Sequence, residues 1–403
     1  MVADPIKDWT NDYDIFDDTY VKDPYPVWDE IRSRCPVGHS ERWGGSWMPT
    51  KYADLFAIAQ DIAHFSSRDI LVAPVFPSGE GPDPADEFYG VRAPPITSDP
   101  PEHTWARRLM LPPFSMKSVA KFEDMTREHC GHLIDGFIAN GRADAASDYA
   151  QQIPPYVIAL MLGVSPDMTG TFTSWVRDLL ELGLTRPELR GPARIALLTF
   201  LTKEIQERKK EPRDDLISYL LQQEVDGKHV PDLHILGTCL LTVIAGIDTT
   251  WSSIGSALWH LAQHPEHRRR IIDEPEIIQV AIEELLRAYS PVTMARYVAS
   301  DINYNGCPMK EGDRVLMNFP AANRDPEKFS HADEVIIDRA HNPHIAFGVG
   351  IHRCAGSNLA RMEMRVAIEE WLKRIPDFEL EDPAAVTWAG GQVRGPRSML
   401  VRF

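Results

Sequence analysis

Cys354 stands in the stretch AFGVGIHRCAGSNLARMEMRVAIEEWLKRIP, residues 346–376, where a glycine-punctuated loop gives way to an apolar-striped segment. Apolar residues recur at helical spacing from Leu359 through Met362, Val366 and Trp371, and Pro376 ends the run. This spacing predicts a helix with Cys354 at its N-terminus. Unpaired amides and the helix dipole there favour a thiolate, the nucleophilic and metal-binding form of the residue. Gly348, Gly350 and Gly356 remove side chains around the sulfur, as the approach of a large flat group to the backbone requires. Three chemistries stay open: a structural buried thiol, a nucleophile with His352 as its base, and a single thiolate ligand to a cofactor that brings its own remaining ligands. Zinc is disfavoured, because Cys354 has no nearby CxxC or HxxxH partner.

Three further groups carry chemistry. In DPPEHTWARRLMLPPFS, residues 99–115, His103 and Arg107 lie four apart and share one helical face. The stretch PDLHILGTCLLTVIAGIDTTWSSIGSALWHLAQ, from Pro231 to Gln263, is apolar on nearly every face and predicts one interior helix roughly 48 Å long. Asp248, Thr249 and Thr250 interrupt it, although an unpaired buried carboxylate costs several kcal/mol. Either the hydroxyls bond back one turn and Asp248 finds a buried arginine or lysine, or the break is a proton path. Glu284 and Arg287 are three apart on a predicted helix, an ion pair worth only tenths of a kcal/mol on a surface.

Periodicity predicts the elements that must position these groups. Helices are expected from near Pro24, from Tyr52 to about Ala63, and over 118–139, 151–162, 168–183, 190–209 and 213–224. Short strands and turns are expected from Tyr304 to Met317, with a final strand near the C-terminus. Residues 66–95 are too rich in proline and glycine for a regular element but open with an apolar cluster. No linker, repeat or low-complexity tract divides the 403 residues, so a single domain over 1–403 is expected. Its class is mainly α with a smaller β region.

Five scattered cysteines argue for reduced thiols. The acidic first twenty residues lack the basic and apolar regions of a signal peptide, and no run of about 18 apolar residues occurs. The expectation is a soluble cytoplasmic protein. With 42 basic against 59 acidic residues and a formal charge of −17, nucleic acid and anionic membrane are disfavoured as partners.

The pattern FxxGxHxCxG at Phe347–Gly356 resembles the haem-binding loop of the cytochrome P-450 superfamily. Other markers follow the family's order: HxxxR at His103 and Arg107, AGxDT at Ala245–Thr249, ExxR at Glu284 and Arg287, and a further arginine, Arg339, ahead of the cysteine loop. The resemblance implies that fold, with haem b (iron protoporphyrin) between the long central helix and the cysteine-loop helix. It makes Cys354 the axial iron ligand. It places Phe347, Gly348 and Gly356 in the loop against the cofactor, with Ala245 beside it. His103, Arg107, Arg296 and His352 become partners of the haem propionates, while Glu284, Arg287 and Arg339 are structural.

In the same reading Thr249 hydrogen-bonds dioxygen and Asp248 passes protons inward. The activity implied is a monooxygenase acting on a small or medium apolar substrate by hydroxylation, epoxidation or O-dealkylation. Electrons would come from a separate ferredoxin with its reductase, and Arg107, Arg108, Lys117, Arg353, Arg361 and Arg365 could form a basic face to steer it. A peroxide-using haem-thiolate enzyme and a non-catalytic haem-binding ligand sensor are the alternatives. Pocket candidates by position are Leu71, Val72, Val75, Phe76, Trp175, Leu179, Leu241, Ile244, Val292, Met294 and Val393.

Overall fold

A computed structural model describes residues 5–74, 88 and 90–403; Val75 and Phe76 lie outside the described residues. The longer helices are α1 (Tyr25–Arg34), α2 (Tyr52–Gln60), α3 (Glu102–Met110), α4 (Glu123–Phe137), α5 (Ile153–Leu162) and α6 (Thr169–Leu180). They continue with α7 (Arg190–Lys210), α8 (Asp232–Gly246), α9 (Asp248–Gln263), α10 (Pro265–Asp273), α11 (Ile278–Ala288) and α12 (Ser357–Arg374). One sheet gathers β1 (Val37–Ser40), β2 (Ser46–Pro49), β3 (Phe65–Ser66), β4 (Thr293–Val298) and β5 (Arg314–Asn318) in the order β1-β2-β5-β4-β3. Only the β5–β2 pairing is parallel. The main core joins α4, α5, α8, α9, α11 and α12, as the stripe of Leu359, Met362, Val366 and Trp371 anticipates.

The central run is not one straight helix. It breaks at Ile247 (φ −97°, ψ −69°), where α8 ends and α9 begins. Beside the break the Thr249 hydroxyl donates to the Ala245 carbonyl at 2.8 Å, an acceptor one turn back. The whole run Asp232–Gln263 is long and apolar enough to cross a membrane, but most of its apolar window is packed inside the protein.

The Glu284–Arg287 pair, structural by the resemblance and weak evidence by its spacing alone, is wholly buried. Arg287 grips Glu284 through two bonds of 2.8 Å, Arg339 adds a third at 2.9 Å, and the Ile336 amide donates to the same carboxylate at 2.8 Å. Arg287 also donates to the carbonyls of Asn323, Ala332 and Glu334, tying α11 to the irregular chain ahead of the cysteine loop. From there Asn323 accepts the Ile345 amide at 2.8 Å, which fixes where the loop starts.

Glu363 on α12 is fully buried with neither carboxyl oxygen partnered among the described residues, and burial pushes its carboxyl well above the usual range. The folded protein therefore holds a proton that the unfolded chain releases above its ordinary value near 4.3. Stability falls as pH rises from there towards the folded value, by up to about 1.4 kcal/mol per pH unit. Glu363→Gln has no such group, so its stability relative to wild type is expected to grow between pH 5 and pH 8. Thermal unfolding of both proteins at the two pH values checks this, and a pH-independent difference would contradict it.

Candidate functional site

Between α8, α9, β4 and the cysteine loop lies a cavity of about 200 Å³, as space for the centres of water-sized spheres. Its lining follows from periodicity. Leu241, Thr242, Ala245 and Thr249 recur at helical spacing on one face of the central run. Val292, Met294 and Arg296 alternate along the start of β4, so all three side chains point the same way.

Cys354 faces this cavity. It is accessible, yet only into an enclosure of protein atoms, so burial pushes its thiol up while the Gly356 amide and Arg107, Arg353 and Arg361 pull it down. Cys354 lies just ahead of the helix cap Gly356, so the helix-end amide reaches its sulfur while burial opposes it. Its amide donates to the Phe347 carbonyl at 2.8 Å, closing the loop. Two of the glycines also meet a need of the backbone itself. Gly348 (φ 68°) and Gly350 (φ 76°) occupy the left-handed region, and a Cβ on Gly350 would meet the Ala59 carbonyl at 2.8 Å. A Cβ on Gly356 would meet only ordinary contacts at 3.8 Å, while one on Gly246 would strike Ile158 at 2.5 Å.

At one end of the cavity four cationic or donor side chains converge. Arg107, Arg296 and His352 line it, and the His103 ring lies 4.3 Å from that of His352. No carboxylate pairs with either arginine among the described residues. Arg296 donates only to the Ala295 carbonyl at 2.9 Å, and burial brings it down to about 10. Burial, then Arg296, His103 and Arg107, push His352 down to about 2, and burial also lowers His103. The Nε2 atoms of both histidines are buried without a partner. The start of α3 is held by Asp99, which accepts from the Ser66 hydroxyl at 2.6 Å and the Ser67 amide at 2.9 Å.

Unpaired buried donors of this kind cost 1–3 kcal/mol each, roughly, unless an acceptor arrives. A flat apolar group with two acid arms and a metal meets the whole set: apolar walls, a free sulfur, two arginines that no carboxylate pairs among the described residues, and two unpartnered histidine nitrogens. The site fits iron protoporphyrin.

Asp248 turns away from the cavity. It is buried, accepts from Arg397 at 2.7 Å and from Ser252 at 3.2 Å, and is raised by burial against the opposing pull of Arg397. Arg397 also donates to Glu181 at 2.9 Å, and Glu181 in turn accepts from the partly exposed Arg177 at 3.2–3.3 Å. Arg397, Ser252 and Glu181 gave no signal in the sequence, because strand, helix and helix end meet only in the fold.

Among the pocket candidates, Leu241, Val292 and Met294 line the cavity. Val393 is one step back, bridged to Val292. Leu71 packs between two core clusters, Val72 is buried beside Gln392, and Ile244 packs against the main core. Trp175 and Leu179 are drawn into that core instead, Trp175 against Phe172 and Phe200. Of the proposed basic face, Arg361 is held by Glu283 and Arg365 by Glu123, and Arg107 faces inward. This leaves Arg108, Lys117 and Arg353 exposed.

A profile of the family described as "Cytochrome P450" matches residues 193–385. The chain is 32% identical to the mycinamicin IV hydroxylase/epoxidase of Micromonospora griseorubida, over 92% of this chain and 91% of that protein. It is 31% identical to the vitamin D(3) 25-hydroxylase of Pseudonocardia autotrophica, over 92% and 91%. The solved structure of the bacillaene polyketide synthase cytochrome P450 PksS of Bacillus subtilis 168 superimposes with a TM-score of 0.86 at 30% identity, covering 96% of this chain and 98% of that one.

Proposed function

The chain belongs to the cytochrome P-450 family, whose members bind iron protoporphyrin haem, and from that premise we propose that it inserts one oxygen atom of dioxygen into a small or medium apolar organic molecule. The observation that carries this reading is the cavity itself, with Cys354 at its floor and Thr249 at its wall. When bound, the haem supplies the iron chemistry that activates dioxygen. Cys354 would ligate the iron, Arg107, Arg296, His103 and His352 would bind the propionates, and Phe347 and Ala245 would pack on the ring faces.

The remaining roles belong to the chain. The Thr249 hydroxyl spends its proton on the Ala245 carbonyl, so its lone pairs are what it offers to the cavity, where it accepts a hydrogen bond and holds a proton donor in place. Asp248, Arg397, Glu181 and Arg177 form a polar chain from that break to the surface, and the two carboxyl groups, Asp248 and Glu181, are the members that can exchange protons. The distal walls supplied by Leu241, Ile158, Val292, Met294 and Leu286 exclude water and offer no charge, which suits hydroxylation, epoxidation or O-dealkylation of a neutral apolar substrate. The names of the relatives, with hydroxylase and epoxidase among them, support the reaction class.

Thr249→Ala is expected to retain substrate affinity while diverting most of the electrons consumed into hydrogen peroxide. Product, peroxide and reductant measured together decide this; full coupling in the variant would remove Thr249 from the proton path.

Electrons would reach the site from a ferredoxin and its reductase. Arg108, Lys117 and Arg353 would meet an acidic partner, so the partner-supported rate should fall steeply with added salt; a salt-insensitive rate would exclude these charges as the docking face.

A further inference from the structure

Where α9 ends and α10 begins, three imidazoles meet away from the cavity. His260, His264 and His267 follow one another at spacings of four and three, and one nitrogen from each ring lies within 4.8 Å of the others. The rings are nearly parallel, with centroids 4.1 Å apart for His260 and His264, 5.1 Å for His260 and His267, and 5.4 Å for His264 and His267.

Their outer contacts sort the nitrogens. His260 is fully buried, its Nδ1 2.8 Å from the Tyr289 hydroxyl and its Nε2 2.8 Å from His267 Nδ1. His264 Nδ1 is 3.0 Å from a Glu266 carboxylate oxygen, which leaves its Nε2 unbonded among the described residues. A partner on the far nitrogen is what fixes the tautomer and orientation of a metal-bound histidine. The facing nitrogens of His260 and His267 are hydrogen-bonded at 2.8 Å and would part by only about 0.5 Å to reach the roughly 3.3 Å between two ligands about 2.0–2.1 Å from one tetrahedral ion.

The two carboxylate and hydroxyl partners, Glu266 on His264 and Tyr289 on His260, occupy Nδ1 of each ring and leave the other nitrogen of each facing the cluster. The arginines that act on these rings are otherwise engaged: Arg324 donates to the carbonyls of Ala288 and Asp333, and Arg270 to Glu274 and Asp338. His264 and His267 are half-buried, which leaves room for water to complete a coordination sphere.

We propose that His260, His264 and His267 form a three-imidazole site for a borderline divalent transition ion of the zinc and nickel type, bracing the corner between α9 and α10 and, through Tyr289, the end of α11. Imidazole nitrogen suits such ions, whereas magnesium and calcium want oxygen.

The test uses the full chain with haem bound, free of any affinity tag, stripped with a chelator and titrated with Zn²⁺ by calorimetry, with bound metal counted after dialysis. One equivalent of zinc is expected to bind at micromolar concentration or below, and to raise the unfolding temperature. His264→Ala and His267→Ala, at half-buried positions outside the core, should each weaken that binding at least tenfold and abolish the thermal shift. The absence of a stoichiometric zinc, or equal affinity in wild type and both variants, overturns the site.

Discussion

Arg287→Ala is expected to leave little or no recoverable folded protein. Arg287 is fully buried, and its guanidinium makes two bonds to Glu284 and three to the carbonyls of Asn323, Ala332 and Glu334. Removing it strands one end of a buried ion pair, a loss of about 3–5 kcal/mol. The three abandoned carbonyls would each add about 1–3 kcal/mol where water cannot reach them. Against a total stability of roughly 5–15 kcal/mol, that sum is enough to unfold the domain. Arg287→Lys keeps the charge but loses the fork and should fall between the two. Soluble yield and thermal unfolding check the series; an alanine variant melting within a few degrees of wild type would show that the buried cluster is not what holds α11 to the cysteine loop.

Cys354→Ser has the opposite profile. The sulfur faces the cavity, the backbone amide rather than the side chain holds the residue through Phe347, and a hydroxyl fits the same space. The variant should fold as wild type, with an unfolding temperature for the haem-free protein that is unchanged within error. Oxygenation of any substrate should nevertheless fall to background, on the order of a thousandfold or more, since an alcohol cannot replace a thiolate that donates electron density to iron. Retained product formation in the serine variant would remove Cys354 from the chemistry.

Local pattern made part of this legible. Helix spacing placed Cys354 before α12, whereas Arg296 and Ala245 entered only through the resemblance, since the strand that sets Arg296 on the same face as Met294 was not anticipated. Residues whose role depends on distant chain were not legible. Spacing alone shows only an i,i+3 pair at Glu284 and Arg287; the resemblance added Arg339, but Asn342 and the four backbone groups that complete the cluster come from 36 to 58 residues further on and gave no signal. Asp248 gave no sign of which cation it would find, and Arg397 lies 149 residues away. Trp175 and Leu179 followed the order of a lid, but packing with Phe172 and Phe200 draws them into the core. The polar interruption at Asp248–Thr250 was visible, but not that the helix itself breaks beside it at Ile247.

The central claim is that Cys354 supplies a thiolate to haem iron at a site whose acid arms are met by Arg107, Arg296, His103 and His352. The most direct measurement is the absorption spectrum of the reduced protein under carbon monoxide. The expected result is the red-shifted band that a thiolate opposite the carbonyl produces, present in wild type and absent in Cys354→Ser. A wild-type spectrum lacking that band, in folded protein carrying a full complement of haem, would contradict the assignment.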